Sequence, residues 1–315
     1  MASLILLHAA AAPVRLNETL MVLFSCLAVM ATLVLPKRDC NASTIAGMLF
    51  VVGSTLLAYT TEDLLIFLIA WILTAAPFFW TEFFAAEVWR PRVAAGLSTI
   101  ALTLAILLIA AAGERMAIGE LQQRSPGGMT VFWLLVVAVI FRKGICPAHA
   151  WVADAAENGP AVPTALLLNG HFGALLVAKL IVPLFPHAAS DLFPVLSYLA
   201  LATALYVAIR ALTENSPRRL LAFLALSQSA CILAGLESRT AEGISGALVH
   251  WFVVTVSTMG LFGILRLLEV RFGENLTAGT SDWRNRRRAW RCSSCSLASL
   301  WWGRPARLAF VRKIC

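Results

Sequence analysis

The sequence predicts an all-α protein, a polytopic bundle of about nine or ten transmembrane helices. Of its 315 residues, 60% are hydrophobic and only 13% are charged, and the mean hydropathy is +0.81. Apolar runs of about 20 residues, the length that crosses a bilayer as a helix, follow one another along the chain. Lysine and arginine concentrate in alternate short loops between these runs. This composition excludes an ordinary soluble globular protein.

Each apolar run is a candidate membrane span. The runs cover residues 17–35, 44–60, 64–82, 93–112, 130–147, 163–185, 191–212, 219–236 and 242–268. The fifth and sixth runs flank Pro147 and Pro160, and proline lacks the backbone N–H that an uninterrupted helix needs. We therefore expect a discontinuous helix near Pro147–Pro160.

The positive charges of the loops predict an orientation. Alternate loops carry Lys37, Arg38, Arg90, Arg92, Arg210, Arg218 and Arg219, whereas the loop at Glu114–Arg124 dissents mildly, with two arginines against two glutamates. By the positive-inside rule these loops face the cytoplasm, which puts the N-terminus on the other side. The formal net charge of +8 is explained in part by this bias, and it requires no nucleic-acid partner.

Two adjacent cations inside an apolar run are the sharpest functional signal. Arg142 and Lys143 lie between Thr130 and Cys146, and such charges are rare in lipid unless water or a partner meets them. Successive helical residues point about 100° apart. We therefore expect one cation to face a hydrated interior and the other to extend toward the cytoplasmic interface. The alternative is that both extend to the interface.

Other titratable residues within the runs extend the hypothesis of a proton path. His171 and His250 lie inside spans, and histidine titrates near neutral pH; Lys179 lies nearer the end of its span. A purely structural role is the alternative for each. Asp154 and Glu157 follow the broken span and could neutralise the two cations. Together with His149 they also leave open an intramembrane lipid-modifying enzyme.

The composition changes near the C-terminus. The segment from Ser281 to Cys295 is rich in Arg, Trp, Cys and Ser and has no helical period. We predict that residues 1–275 form part of a transmembrane domain whose later helices are missing. We predict that residues 276–315 are an aberrant basic tail from out-of-frame translation. The alternative is a polybasic segment that binds anionic lipid.

Three stretches in matching order resemble a known family. Residues Trp151-Val-Ala-Asp-Ala, with Glu157, Gly159-Pro160 and Thr164-Ala-Leu, resemble its Trp-Leu-Pro-Asp-Ala…Glu-Gly-Pro signature. The stretch 216–228 resembles its Lys-Arg-Leu-Leu-Ala helix start, and Leu64–Trp71 resembles a helix in which glutamate follows tryptophan. The family comprises the proton-translocating antiporter-like membrane subunits of NADH:quinone oxidoreductase (complex I) and their Mrp antiporter relatives.

The resemblance also shows where this chain departs from the family. The family glutamate position is Ile72, its central lysine position is Arg142, and a later lysine position is Val254. The resemblance implies that Arg142 and Lys143 supply the central positive charge. It further implies that His171, which lies near a family His or Lys position, and His250 relay protons.

The resemblance implies proton or cation/proton translocation within a multi-subunit complex of a cell inner membrane. The alternatives are a non-conducting scaffold subunit and the membrane partner of an inorganic-carbon uptake system. At most, the chain would be a non-redox membrane subunit of an NADH:quinone oxidoreductase-like enzyme. No cofactor or metal site is expected, and any electron transfer would belong to partner subunits.

Overall fold

Helices account for the regular structure that the computed structural model describes, apart from one isolated β-bridge between Asp63 and Ala117. The structure describes residues 2–85, 87–238 and 240–272, with side chains from residue 17 onward. The α-helices are α1 (Ala2–Val34), α2 (Ala42–Thr60), α3 (Leu64–Ala75), α4 (Trp89–Ala111), α5 (Ile118–Leu121), α6 (Gly128–Lys143), α7 (Ala150–Asn158), α8 (Ala161–Leu168), α9 (Phe172–Leu176), α10 (Val182–Leu184), α11 (Pro186–Leu212), α12 (Pro217–Glu237) and α13 (Ala241–Phe272).

The polytopic helical fold is confirmed. Among the described residues, seven segments are long and apolar enough to cross a membrane, and the segment 64–79 is a shorter apolar one. The predicted run 130–147 is occupied by α6, which has 16 residues and is therefore not among the seven long segments. The count of spans is therefore close to the predicted one.

Local sequence signals explain where several helices begin and end. Asn41 caps α2 by accepting from the backbone N–H of Thr44, and Asp63 caps α3 by accepting from Leu65 and Ile66. Helices α11 and α12 start with proline, whose missing N–H is not needed there. The α6 helix ends at Gly144, whose positive φ of 77° suits glycine.

The predicted discontinuity is present, and a second one follows it. A turn containing Pro147 separates α6 from the short helix α7, and Pro160 separates α7 from α8. The next span, 161–184, is itself interrupted between α8 and α9 and contains a π-helix at Val177–Ile181. This span forms the core of the bundle, since 83% of it is buried against 28% of the span 186–212.

One end of the bundle contains two networks of ion pairs, which include Asp39, Asp154, Arg218 and Glu269. We name this end the basic end, after the basic loops of the sequence. The predicted basic loops meet there, which is the arrangement that their alternation predicts. The opposite end contains Glu62 and Lys179. There the backbone N–H of Ile118 donates to the backbone carbonyl of Glu62.

The chain divides into two units, 1–273 and 274–315, and only the first contains described residues. The predicted tail, 276–315, lies outside the described residues. Its origin stays a prediction.

Candidate functional site

Both adjacent cations lie in the last turn of α6 and point into the protein. Arg142 is 7% exposed and Lys143 is 5% exposed. The expectation that one of them extends to the interface is wrong, as is the alternative that both do. The reason is that α6 ends inside the bundle at Gly144, before the chain reaches the basic end. Cations are also favoured at this position, because the C-terminus of a helix carries partial negative charge.

Arg142 is enclosed by aromatic rings. Its guanidinium carbon lies 5.3, 5.8 and 5.0 Å from the ring centroids of Trp71, Phe78 and Phe172. Nη2 donates to Thr74 Oγ1 at 2.6 Å. Nη1 is buried and has no hydrogen-bond partner among the described residues. Cation–π contacts and one charged hydrogen bond therefore hold this charge in place.

His171 lies at the break in the central span. Its backbone φ of 43° is left-handed, and the break leaves the carbonyl of Gly170 free to accept from Tyr59 Oη at 2.8 Å. Asn169 and Gly170 precede it, and both residue types are common where a helix ends. The break directs a titratable ring into the centre of the bundle.

Lys143 and His171 form a direct contact between α6 and the central span. Lys143 Nζ lies 3.0 Å from His171 Nδ1, and Ser229 Oγ lies 3.4 Å from the same nitrogen. An ammonium group can only donate, so Nδ1 accepts and the proton of the neutral ring is assigned to Nε2. His171 Nε2 is buried without a partner among the described residues, and Trp251 packs on the ring edge-on at 5.6 Å.

A cavity of about 40 Å³ lies beside this pair. Three atoms that have no partner among the described residues belong to side chains that line it: Arg142 Nη1, Asn169 Nδ2 and His171 Nε2. One water needs roughly 10–15 Å³ of such space together with polar partners. The cavity therefore has the volume and the polar lining for about three water molecules.

His250 lines a second cavity, a pocket of about 240 Å³ between α12 and α13 that opens to the outer surface of the bundle, where Leu224, Gln228 and Leu261 are exposed. Ala225 and Thr258 line both this cavity and the one beside Lys143. The two spaces therefore adjoin. His250 Nε2 is also buried without a partner among the residues that the structure describes.

Lys179 lies apart from this group, toward the opposite end of the bundle. Its Nζ donates to the backbone carbonyl of Tyr59 at 2.9 Å and lies 3.9 Å from Glu62 Oε1. Asn17 also donates to Glu62. Lys179 is nevertheless linked to the histidine break, because Tyr59 contacts both segments.

The two loop acids are at the basic end and do not contact the central cations. Asp154 forms ion pairs of 2.9 Å with Arg90 and with Arg219. Glu157 accepts from the hydroxyl of Ser216. Neutralisation of Arg142 or Lys143 by these acids is therefore not observed.

The basic end contains a second ion-pair network. Glu269 is 5% exposed and accepts from both Arg218, at 2.7 Å, and Arg266, at 3.0 Å. Arg266 also donates to Asp39 at 2.6 Å. This hydrogen bond holds the pKa of the Asp39 carboxyl below its usual range, against the opposing effect of partial burial.

Some site residues were not predicted from the sequence. Thr74 contacts Arg142, but nothing in a run of apolar residues distinguishes it. Trp71, which the resemblance marked, contacts Arg142 as well. Glu237 is buried at the end of α12, one residue beyond the predicted run. Among the described residues, no cluster of three or more His, Cys, Asp or Glu side chains is placed to hold a metal ion.

Positions where the resemblance implies charged groups differ in this structure. Ile72 is 45% exposed on the outer surface of α3, whereas Val254 is 4% exposed inside the bundle. The structure therefore has no acidic group at the first position and no cation at the second.

Comparison with known protein families gives a match over most of the chain. The family described as NADH:quinone oxidoreductase/Mrp antiporter, TM, matches residues 21–314. NADH-quinone oxidoreductase subunit N 3 of Streptomyces griseus is 32% identical over 145 residues, which is 45% of this chain and 26% of that protein. Subunit N of Salinispora arenicola is 28% identical over 174 residues, which is 53% of this chain and 32% of that protein. The matched parts thus span about a quarter to a third of these curated relatives.

Solved structures of membrane complexes share the fold. The Mrp complex from a Dietzia species aligns with a TM-score of 0.70 and 16% identity, covering 81% of this chain and 30% of the aligned one. Respiratory complex I from Thermus thermophilus aligns with a TM-score of 0.65 and 21% identity, covering 79% of this chain and 55% of the aligned one. At these identities the similarity establishes the fold alone.

Proposed function

The chain belongs to the transmembrane family of NADH:quinone oxidoreductase and Mrp antiporters, and from this premise we propose that it conducts protons, or exchanges them for another cation. It would do so as one membrane subunit of a complex-I-like or Mrp-like assembly in a cell inner membrane. The family match and the helices long and apolar enough for a bilayer support a multi-pass membrane subunit. The coupled ion and the partner subunits belong to the proposal.

The contact between Lys143 and His171 is the observation that carries this proposal. Two groups that can each gain and lose a proton lie 3.0 Å apart in a buried site between two helices. Proton transfer requires a donor and an acceptor at hydrogen-bond distance. In the proposed step, Lys143 releases a proton to His171 Nδ1, and the ring passes a proton onward from Nε2.

Arg142 supplies a fixed charge in this proposal. Arginine keeps its proton far more tightly than lysine, and the surrounding rings hold the guanidinium in place. In this proposal Arg142 therefore stays charged and does not itself carry the proton.

The adjoining cavities supply the onward path. Water in the cavity beside His171 would connect Nε2 to the second cavity through the shared lining at Ala225 and Thr258. His250 lines that second cavity and is the next titratable group. The path is therefore from Lys143 to His171, then through water to His250.

Proton flux into liposomes tests the proposal. The full chain is reconstituted, a membrane potential is imposed, and internal pH is followed with a dye. Lys143→Ala and His171→Ala should each lower the flux by on the order of 100-fold, the lower end of the effect of removing a proton-transfer group.

Matched controls use the same residue types at exposed positions, Lys37→Ala and His187→Ala. These should retain the flux of the unsubstituted chain. Unchanged flux in both buried variants would eliminate the relay.

A second candidate is a scaffold subunit that has the fold without conduction. Apolar residues at Ile72 and Val254 favour it, since the resemblance places titratable groups at both. Absence of flux from the intact chain above that of empty liposomes would support the scaffold over the conductor.

A further inference from the structure

A buried carboxyl group that the proposed path does not use lies at the end of α12. Glu237 is 4% exposed, and its Oε2 has no hydrogen-bond partner among the described residues. It is the last residue of the helix, toward the opposite end of the bundle from the ionic networks. An ionisable side chain placed in this way within a membrane protein indicates a functional site.

The cavity that Glu237 lines is otherwise apolar. It lines a cavity of about 20 Å³ whose other described lining residues are all hydrophobic. These residues are Val136, Val139, Ile140 and Ile145 near or on α6, Val177 and Ile181 on the π-helix, Phe193, Leu196 and Leu199 on α11, and Leu233 on α12. The space is enough for about one water molecule.

This cavity approaches the Lys143–His171 pair. Three of its lining residues, Val136, Val139 and Ile140, lie on α6 and span about 6 Å along the helix axis. Gly173 packs against this part of α6: a Cβ placed on it would be 3.4 Å from the carbonyl of Val139 and 2.9 Å from Lys143 Cβ. Val139, which lines the cavity, lies one helical turn before Lys143, about 6 Å along the axis of α6.

A structural role explains Glu237 poorly. The other acidic side chain that is buried in the described part of the chain, Glu269, forms ion pairs with two arginines. Glu237 has no ion pair among the residues described here. An ionised carboxylate is costly to bury alone, whereas a protonated acid avoids that cost. A leucine would fill the same space at no such cost.

We propose that Glu237 is a proton-transfer residue between the opposite end of the bundle and the Lys143–His171 pair. The inference rests on the proposed function and adds a carboxyl group to its path. In this step the carboxylate takes up a proton from the side of the opposite end. The acid then passes this proton, by way of a water molecule bound to the carboxyl group, to the Lys143 amine that has given its own proton to His171. One O–H bond breaks, one N–H bond forms, and the carboxylate is restored.

The same flux assay tests this inference with a set of substitutions. Glu237→Gln keeps the shape of the side chain and removes its titration, and it should lower flux on the order of 100-fold. Glu237→Leu should lose flux equally while the chain stays folded, because leucine suits the apolar cavity. Glu237→Asp retains a carboxyl group and should keep part of the flux. The matched control, Glu242→Gln, alters an exposed glutamate five residues away and should leave flux unchanged.

The outcomes separate this inference from the proposed function. Normal flux in Glu237→Gln, with flux lost in Lys143→Ala and His171→Ala, would overturn the role of Glu237 alone. Normal flux in all of these variants would overturn the relay as well. Equal loss in the glutamine and leucine variants, with thermal unfolding at or above that of the unsubstituted chain, would support the carboxyl as a proton carrier.

Discussion

Replacing Gly173 by alanine should disturb the Lys143–His171 contact without removing any titratable group. The new methyl carbon would lie 2.9 Å from Lys143 Cβ and 3.3 Å from Lys143 Cδ. Both distances are shorter than ordinary van der Waals contact between carbon atoms. The lysine chain must therefore shift by a few tenths of an ångström, and its 3.0 Å contact with His171 Nδ1 should lengthen toward the limit of a hydrogen bond.

The size of the effect on stability follows from two opposing contributions. Inserting a methyl group into a packed interior costs about 1–3 kcal/mol. Alanine in a helix is more favourable than glycine by about 0.5–1 kcal/mol. The expected net loss in the free energy of unfolding is therefore about 1 kcal/mol.

Denaturant unfolding in detergent, paired with proton flux, provides the assay. The matched control is Gly246→Ala in α13, where a Cβ meets no atom within 4 Å. This control should gain about 0.5–1 kcal/mol and keep its flux. Gly173→Ala should lose stability and also lose flux, because its cost falls on the lysine that we propose transfers the proton.

One result would refute this reasoning. If Gly173→Ala were as stable as Gly246→Ala and conducted normally, the lysine would not depend on the space that Gly173 leaves. The relay through Lys143 would then lose its geometric basis.

Two further predictions concern the basic end. Glu269→Ala should lower the free energy of unfolding by about 3 kcal/mol, since it deprives two arginines of a buried partner. The exposed pair of Arg115 and Glu120 provides the control. Glu120→Ala should lower the free energy of unfolding by under about 1 kcal/mol. Asp39→Asn should be less stable than the unsubstituted chain at neutral pH, because the lowered pKa of Asp39 means that its ionised form stabilises the fold. That contribution is present above the unfolded pKa of about 4 and is lost as pH falls through the lower folded value. Unfolding measured from pH 7 to pH 3 should show the two proteins converging, and a constant difference over this range would contradict the assignment.

The sequence predicted the fold because each span carries its own signal. Apolar length alone identifies a membrane helix, and Pro147 and Pro160 mark breaks by the bonds that proline cannot make. The break at Asn169–His171 was not predicted, since only the polar pair Asn169-Gly170 signals it. That break depends on tertiary contacts, including the bond from Tyr59 to Gly170.

The site was predicted in part, for a similar reason. A charge inside an apolar run is visible in the sequence, so Arg142, Lys143 and His171 could be singled out. Their mutual geometry could not be predicted, because it depends on where α6 ends and on how two helices pack. Glu237 was missed because an acid at the boundary of an apolar run is typical of an ordinary loop.

The ion pairs of the basic end constrain how the proposed transport would proceed. Arg266 joins α13 to Asp39 beside α2, Arg218 joins α12 to the C-terminal part of α13, and Arg219 joins α12 to α7 through Asp154. Rocking one half of the bundle against the other would have to break several of these bonds together. A mechanism of alternating access by rigid-body motion is therefore disfavoured here. Conduction would instead depend on rotation of side chains and on entry of water between helices that stay in place.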